Sequence, residues 1–272
     1  MSFKEFLEDI SRNSKPIDDI PTLAAKVERI LAGKSVIEDE FELLGSGSYK
    51  EAYALNDDFV IKFASHYNDT YEEKRLYNLA IDECVDEIFL ETYFYDIPKG
   101  QYPTLFYLEE CSISESYARE REDLYEIAED DRYDYDTIHP KADTIIIQVY
   151  AEFTVANRPY EHFKYNKLDY AKNPIINKAD GSEVAHEEAR KFSVSSKDWL
   201  QAILDIYGID TFLCMANFFD KYNMSDLHSE NIGYIIKNGI EYPVVLDWMS
   251  DIWGLDPLSC SSGEIGRTHE DP

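Results

Sequence analysis

Ser225-Asp226-Leu227-His228-Ser229-Glu230-Asn231, followed by the apolar run 232–236, the turn Lys237-Asn238-Gly239, a second run at 242–246 and then Asp247, is the stretch that decides how this chain is read. A turn of this composition between two apolar runs predicts a hairpin. Folding the runs back on each other brings Asn231, just before the first, beside Asp247, just after the second. Two oxygen donors then converge on one spot, which suits Mg²⁺, an ion that takes one or two protein oxygens and completes its shell with phosphates and water. Asp226, five residues before Asn231, is placed to accept or orient the proton of an attacking hydroxyl.

Upstream, Leu44-Gly45-Ser46-Gly47-Ser48-Tyr49 separates strand-like runs at 41–45 and 52–55. Small residues there let backbone N–H groups cover nucleotide phosphates, although the same segment also reads as a flexible hairpin. Fifteen residues after Gly47, Lys62 stands inside the apolar strand 59–64. A lysine in that position must snorkel or be paired, and a nucleotide phosphate would supply the partner. The helix expected from about 69 to 80 carries Glu72 and Glu73, either of which can reach back to Lys62. Glu73, four residues before Tyr77, is the favoured one.

The remaining elements follow from periodicity. Ser2 and Glu5 form a capping box for an amphipathic helix with Phe3, Phe6, Leu7 and Ile10 on one face, and a second helix carries Leu23, Val27, Ile30 and Leu31 and stops at Gly33. Runs at 88–95 and 104–109 read as a strand pair, and 144–150 as a further strand. Residues 198–222 read as helical, with a break near Gly208 and a restart capped by Asp210. Between them, 109–136 is dominated by Asp and Glu and reads as a solvated insertion. The expected partition is a helical extension (1–40), a small sheet-bearing unit (41–111), an acidic insertion (112–143) and a mainly helical unit with the hairpin (144–272).

A formal charge of -29 argues against direct nucleic-acid binding, which needs clustered Lys and Arg, and is compatible with a basic protein partner. Cys84, Cys111, Cys214 and Cys260 have no paired spacing suited to zinc or redox chemistry. No uninterrupted apolar run approaches the roughly 18 residues of a membrane span, and the opening residues lack a signal peptide's apolar core. A soluble cytoplasmic protein with no membrane partner is expected.

In this order the glycine loop, strand lysine, Asp/Asn loop and final Asp resemble the protein-kinase-like superfamily, from about residue 41 to 248. The resemblance implies an α+β bilobal fold with a small antiparallel sheet and one helix in the first lobe and a reduced, mainly helical second lobe. It implies ATP and Mg as cofactors and a protein or small-molecule hydroxyl as acceptor. Gly45, Ser46, Gly47, Ser48, Tyr49, Lys62 and His228 would bind the nucleotide, Glu73 would position Lys62, Asp226 would act as base, and Asn231 and Asp247 would hold the metal. The chain departs from the pattern at Lys50, where a third loop glycine would stand, at Ser225 in place of the catalytic-loop arginine, and at Trp248 in place of phenylalanine. Only 25 residues follow Asp247, with no Ala-Pro-Glu. Such a chain is similar to compact Ser/Thr protein kinases of bacterial viruses, while Asp226-Leu227-His228 and Asp247-Trp248 look more like aminoglycoside and other small-molecule kinases. A kinase-shaped acidic binding protein is a third reading. The adenine-contacting hinge falls either at Glu109-Glu110-Cys111 or at Gln148-Val149-Tyr150.

Overall fold

The computed structural model describes residues 1–46, 50–64, 67–98, 144–156, 174–185, 188–189, 196–224 and 227–248. Its first helix, α1 (Phe3–Asn13), starts at the expected capping box: Ser2 Oγ accepts the Glu5 N–H, and the Glu5 carboxylate accepts the Ser2 N–H. Phe3, Phe6, Leu7 and Ile10 are buried, each stabilising by about 1.5–3 kcal/mol. Helix α2 (Ile20–Leu31) buries Leu23, Ala24, Val27 and Ile30. Just beyond it Gly33 takes φ 64°, the left-handed turn that a glycine adopts without steric cost. A short helix, α3 (Ile37–Glu40), leads into the sheet.

Five antiparallel strands, β1 (Glu42–Ser46), β2 (Lys50–Ala54), β3 (Phe59–Ala64), β4 (Thr92–Asp96) and β5 (Thr144–Val149), lie in the order β1-β2-β3-β5-β4. Alternation assigns their faces. Tyr53, Phe59, Ile61, Phe63, Ile145 and Ile147 join one buried cluster with α1 and α2. The opposite face carries Lys50, Ala52, Lys62, Ile146 and Gln148, since Ala52 pairs with Lys62, Lys62 with Ile146 and Val60 with Gln148. Helix α4 (Tyr67–Asp82) follows β3 and packs against β3 and β5.

One strand expectation needs correction. Ile88 closes a single 3-10 turn (Asp86–Ile88) rather than starting a strand, and β4 pairs with β5, from Thr92 opposite Gln148 to Asp96 opposite Thr144. The run 104–109 lies outside the described residues, as does the acidic stretch to 136. The partition at 144 also shifts, because Thr144–Val149 sits between β3 and β4 in the first sheet. All six of its residues are buried, and a strand covered on both faces belongs in a sheet's interior.

A second sheet, in the order β6-β7-β8, comprises β6 (Phe153–Thr154), β7 (Ile232–Lys237) and β8 (Ile240–Val245). Asn238 (φ 54°) and Gly239 (φ 76°) make its hairpin turn, both with the positive φ that a two-residue turn of matching twist requires. Helix α5 (Lys197–Lys221) is capped by Ser196, whose side chain accepts the Trp199 N–H, and is broken at Gly208 (φ 85°, ψ 174°). The break is where the sequence puts it. Asp210, however, lies in the first turn of the second piece rather than at its cap, because Gly208 is the residue that leaves helical geometry.

Among the described residues α5 is the one helix long and apolar enough to cross a bilayer. Its Trp199, Leu200, Ile203, Phe212, Met215 and Phe218 are instead buried in a second core with α4 residues Leu76 and Ala80. The β7–β8 hairpin contributes to both cores. Ile232, Tyr234 and Val245 join the α5 cluster, and Ile235 and Val244 the α1–α2 cluster.

Candidate functional site

The hairpin brings the main chains at its two ends together, as its sequence predicts. Ile232 pairs with Val245, and the Asn231 carbonyl accepts the N–H groups of Leu246 (2.8 Å) and Asp247 (3.3 Å). Asn231 and Asp247 are therefore held side by side through the main chain. The next residue, Trp248, is fully buried, stacks on Tyr77 (5.6 Å between ring centroids) and meets Phe89 edge-on at 5.0 Å. Its indole N–H donates to the Glu73 carbonyl at 3.0 Å. Trp248 thereby ties the segment carrying Asp247 directly to α4.

Glu73 is 0% exposed, whereas Glu72 turns to Arg75 on its own helix (2.5 Å). The Glu73 carboxylate faces two lysines. Lys62 Nζ lies 3.8 Å from Glu73 Oε1 and hydrogen-bonds the Leu246 carbonyl at 2.9 Å. Lys50 Nζ is closer, 2.6 Å from Glu73 Oε2 and 2.5 Å from Asp247 Oδ1. Glu73 Oε1 is buried without a hydrogen-bond partner. Lys50, Lys62, Glu73 and Asp247 thus form one cluster drawn from β2, β3, α4 and the end of the hairpin.

Burial alone would raise the Asp247 carboxyl, but the nearby Lys50 and Lys62 charges and the Lys50 hydrogen bond outweigh it and hold its pKa below the usual carboxylate range. Burial would likewise lower Lys50, and the charges of Asp247 and Glu73 reverse that and raise it. Two lysine side chains thus face two carboxyl side chains in this cluster.

Gln148 completes the surroundings. Its side-chain amide donates to the Leu246 carbonyl (2.9 Å) and to Thr92 Oγ1 (3.0 Å), so Leu246 O receives both Gln148 and Lys62. Of the two hinge positions, Gln148-Val149-Tyr150 ends β5, and Glu109-Glu110-Cys111 lies outside the described residues. Gln148 itself reaches into the site with its side chain.

Asp226, Gly47, Ser48 and Tyr49 also lie outside the described residues. Gly45 and Ser46 form the exposed end of β1, and a methyl group at Gly45 would meet nothing within 4 Å. His228 serves the turn before Asn231: its Nδ1 accepts the Glu230 N–H (3.2 Å) and its carbonyl accepts the Asn231 N–H (3.0 Å).

Lys50 and Gln148 are the site residues that sequence reasoning did not single out for their side chains. The signal for Lys50 was strand parity, which puts it on the same face as Ala52 and therefore as Lys62. For Gln148 it was a polar side chain in an otherwise apolar buried strand. Asp247 has the Asn231 main chain bonded beside it and Lys50 against its carboxylate, and among the described residues no group of three or more His, Cys, Asp or Glu side chains converges that could hold a metal ion.

No protein-family model matches this chain, and neither the curated proteins nor the solved structures contain a match to it.

Proposed function

We propose that this protein is an ATP- and magnesium-dependent phosphotransferase with a bilobal, protein-kinase-like organisation, acting on a hydroxyl acceptor and most simply on Ser or Thr of a protein. One observation carries the reading: Lys62, Glu73 and Asp247 meet on one face of a five-stranded sheet ordered β1-β2-β3-β5-β4, with Asn231 bonded beside Asp247. A binding scaffold needs no such cluster, and buried charges are retained at a cost that function offsets.

In this reading Lys62 orients the nucleotide phosphates, and Glu73 holds Lys62. The phosphate loop from Gly45 to Tyr49 covers the phosphates with backbone N–H groups, and His228 shapes the turn that presents Asn231. Asn231 and Asp247 would hold magnesium, which when bound would neutralise charge developing on the phosphate oxygens. Asp226 takes the acceptor's proton as the acceptor oxygen bonds to the γ-phosphorus and the bond to the β,γ-bridging oxygen breaks, ADP leaving with that electron pair. Positioning and charge stabilisation carry most of such catalysis.

A small-molecule kinase is the second reading, favoured by Asp226-Leu227-His228 and by Trp248 after Asp247. A cytoplasmic protein suits this reading, and the acidic stretch 109–136 is a solvated insertion whose charge would suit a basic protein partner.

The test is transfer of radiolabelled phosphate from ATP to cell-lysate proteins and to aminoglycosides, with Asp247→Asn alongside. Magnesium-dependent transfer by the parent and loss of about 100-fold or more in a folded Asp247→Asn variant are expected. Normal transfer by that variant overturns the metal assignment. Labelled proteins with unlabelled aminoglycosides select the first reading over the second.

A further inference from the structure

Lys50 stands in the sequence where a third loop glycine would be, directly after Gly47-Ser48-Tyr49. Strand register explains where it goes. Lys50 pairs with Ala64 and Ala52 with Lys62, so the two lysines leave one face of neighbouring strands two residues apart. They share one anchor. Lys50 has taken Glu73 Oε2 and Asp247 Oδ1, at 2.6 and 2.5 Å, and is only 8% exposed. Lys62 remains 3.8 Å from Glu73 Oε1 and uses the Leu246 carbonyl instead.

The orphaned Glu73 Oε1 is the second observation. A buried carboxylate oxygen without a donor is costly, and the nearest ammonium able to satisfy it is Lys62. Lys50, meanwhile, covers the carboxylate that a divalent cation would need. Lys50 follows Gly47-Ser48-Tyr49 directly in the sequence.

We propose that Lys50 is a second phosphate-binding cation, which neutralises Asp247 and Glu73 and passes to a nucleotide phosphate when Asp247 exchanges it for a divalent cation. Lys62 then closes on Glu73 Oε1. This rests on the phosphotransferase reading above.

Two titrations on the full chain test it: Mn²⁺ alone, followed by electron paramagnetic resonance, and a fluorescent ATP analogue at saturating Mg²⁺. Lys50→Met is expected to bind Mn²⁺ at least about threefold more tightly, because a competing charge has gone. The same variant should bind the nucleotide about 10- to 100-fold more weakly, the range for one charge-assisted hydrogen bond. Lys50→Arg should keep nucleotide affinity within about threefold of the parent. A merely structural Lys50 moves both affinities down together or moves neither, and either result overturns the proposal.

If Lys50→Met loses the native tryptophan fluorescence, both titrations are read on Lys50→Gln, which keeps hydrogen-bond donors but no charge, with the same outcomes decisive. A parent that binds no nucleotide overturns the phosphotransferase reading and this proposal with it. A parent that binds nucleotide, loses it in Lys62→Met and keeps it unchanged in Lys50→Met overturns this proposal alone.

Discussion

Glu73→Gln removes one negative charge from the cluster while keeping the side chain's shape. In the parent, Glu73 is 0% exposed and faces Lys50 at 2.6 Å and Lys62 at 3.8 Å. At an effective dielectric constant of about 20, either contact amounts to several kcal/mol of attraction, against which the desolvation of the carboxylate must be set. Removing one partner of a buried pair costs about 3–5 kcal/mol, because the remaining charge stays buried without its counter-ion. Here Lys50 keeps Asp247, so the lower end, about 3 kcal/mol, is expected. With a urea slope of about 3 kcal/mol/M for a chain of this size, the unfolding midpoint should fall by about 1 M.

The buried Trp199 and Trp248 report the transition by fluorescence. Glu72→Gln serves as the control, since its pair with Arg75 is partly solvated and should change stability by less than about 1 kcal/mol. A Glu73→Gln midpoint within about 0.2 M of the parent, or no further from it than Glu72→Gln, refutes the view that this carboxylate anchors the cluster.

At Gly233 an added Cβ would lie 2.4 Å from the Phe153 carbonyl oxygen and 2.9 Å from Leu246 Cδ1. Gly233→Ala must therefore push β6 from β7 at a cost of up to about 3 kcal/mol, lowering Tm by roughly 5–10 °C in a thermal melt. An unchanged Tm would show that the strands yield freely. Glu40 is held down to about 2 by the hydrogen bond from Arg29, assisted by Ser35. Because its folded pKa is depressed, its contribution to stability is complete above the ordinary carboxylate range and is lost as pH falls through about 2. Carbon-13 NMR should find that midpoint and should find Arg29→Ala returning it toward the ordinary range. A Glu40 midpoint indifferent to Arg29 removes the pair from the account.

Much of the local structure was legible because it depends on neighbours in the chain. The capping box at Ser2 and Glu5, the turn at Asn238-Gly239 and the break at Gly208 are each decided by what a few consecutive residues can adopt sterically. The juxtaposition of Asn231 and Asp247 was equally local, since one hairpin register brings them together.

The placement of Thr144–Val149 was not local, because an apolar strand announces burial but not which strands will flank it. The same holds for Lys50. Its charge and position in the chain were plain, yet whether it or Lys62 would reach Glu73 and Asp247 depended on the β2–β3 register and on how α4 lies across that face. Residue identities in this chain determined the helix ends, the hairpin and the kinds of groups available for chemistry. Which of two lysines holds the Glu73 and Asp247 carboxylates was decided only by tertiary structure, because distances of a few ångströms between groups from four separate elements exist only once the sheet, the helix and the hairpin are packed together.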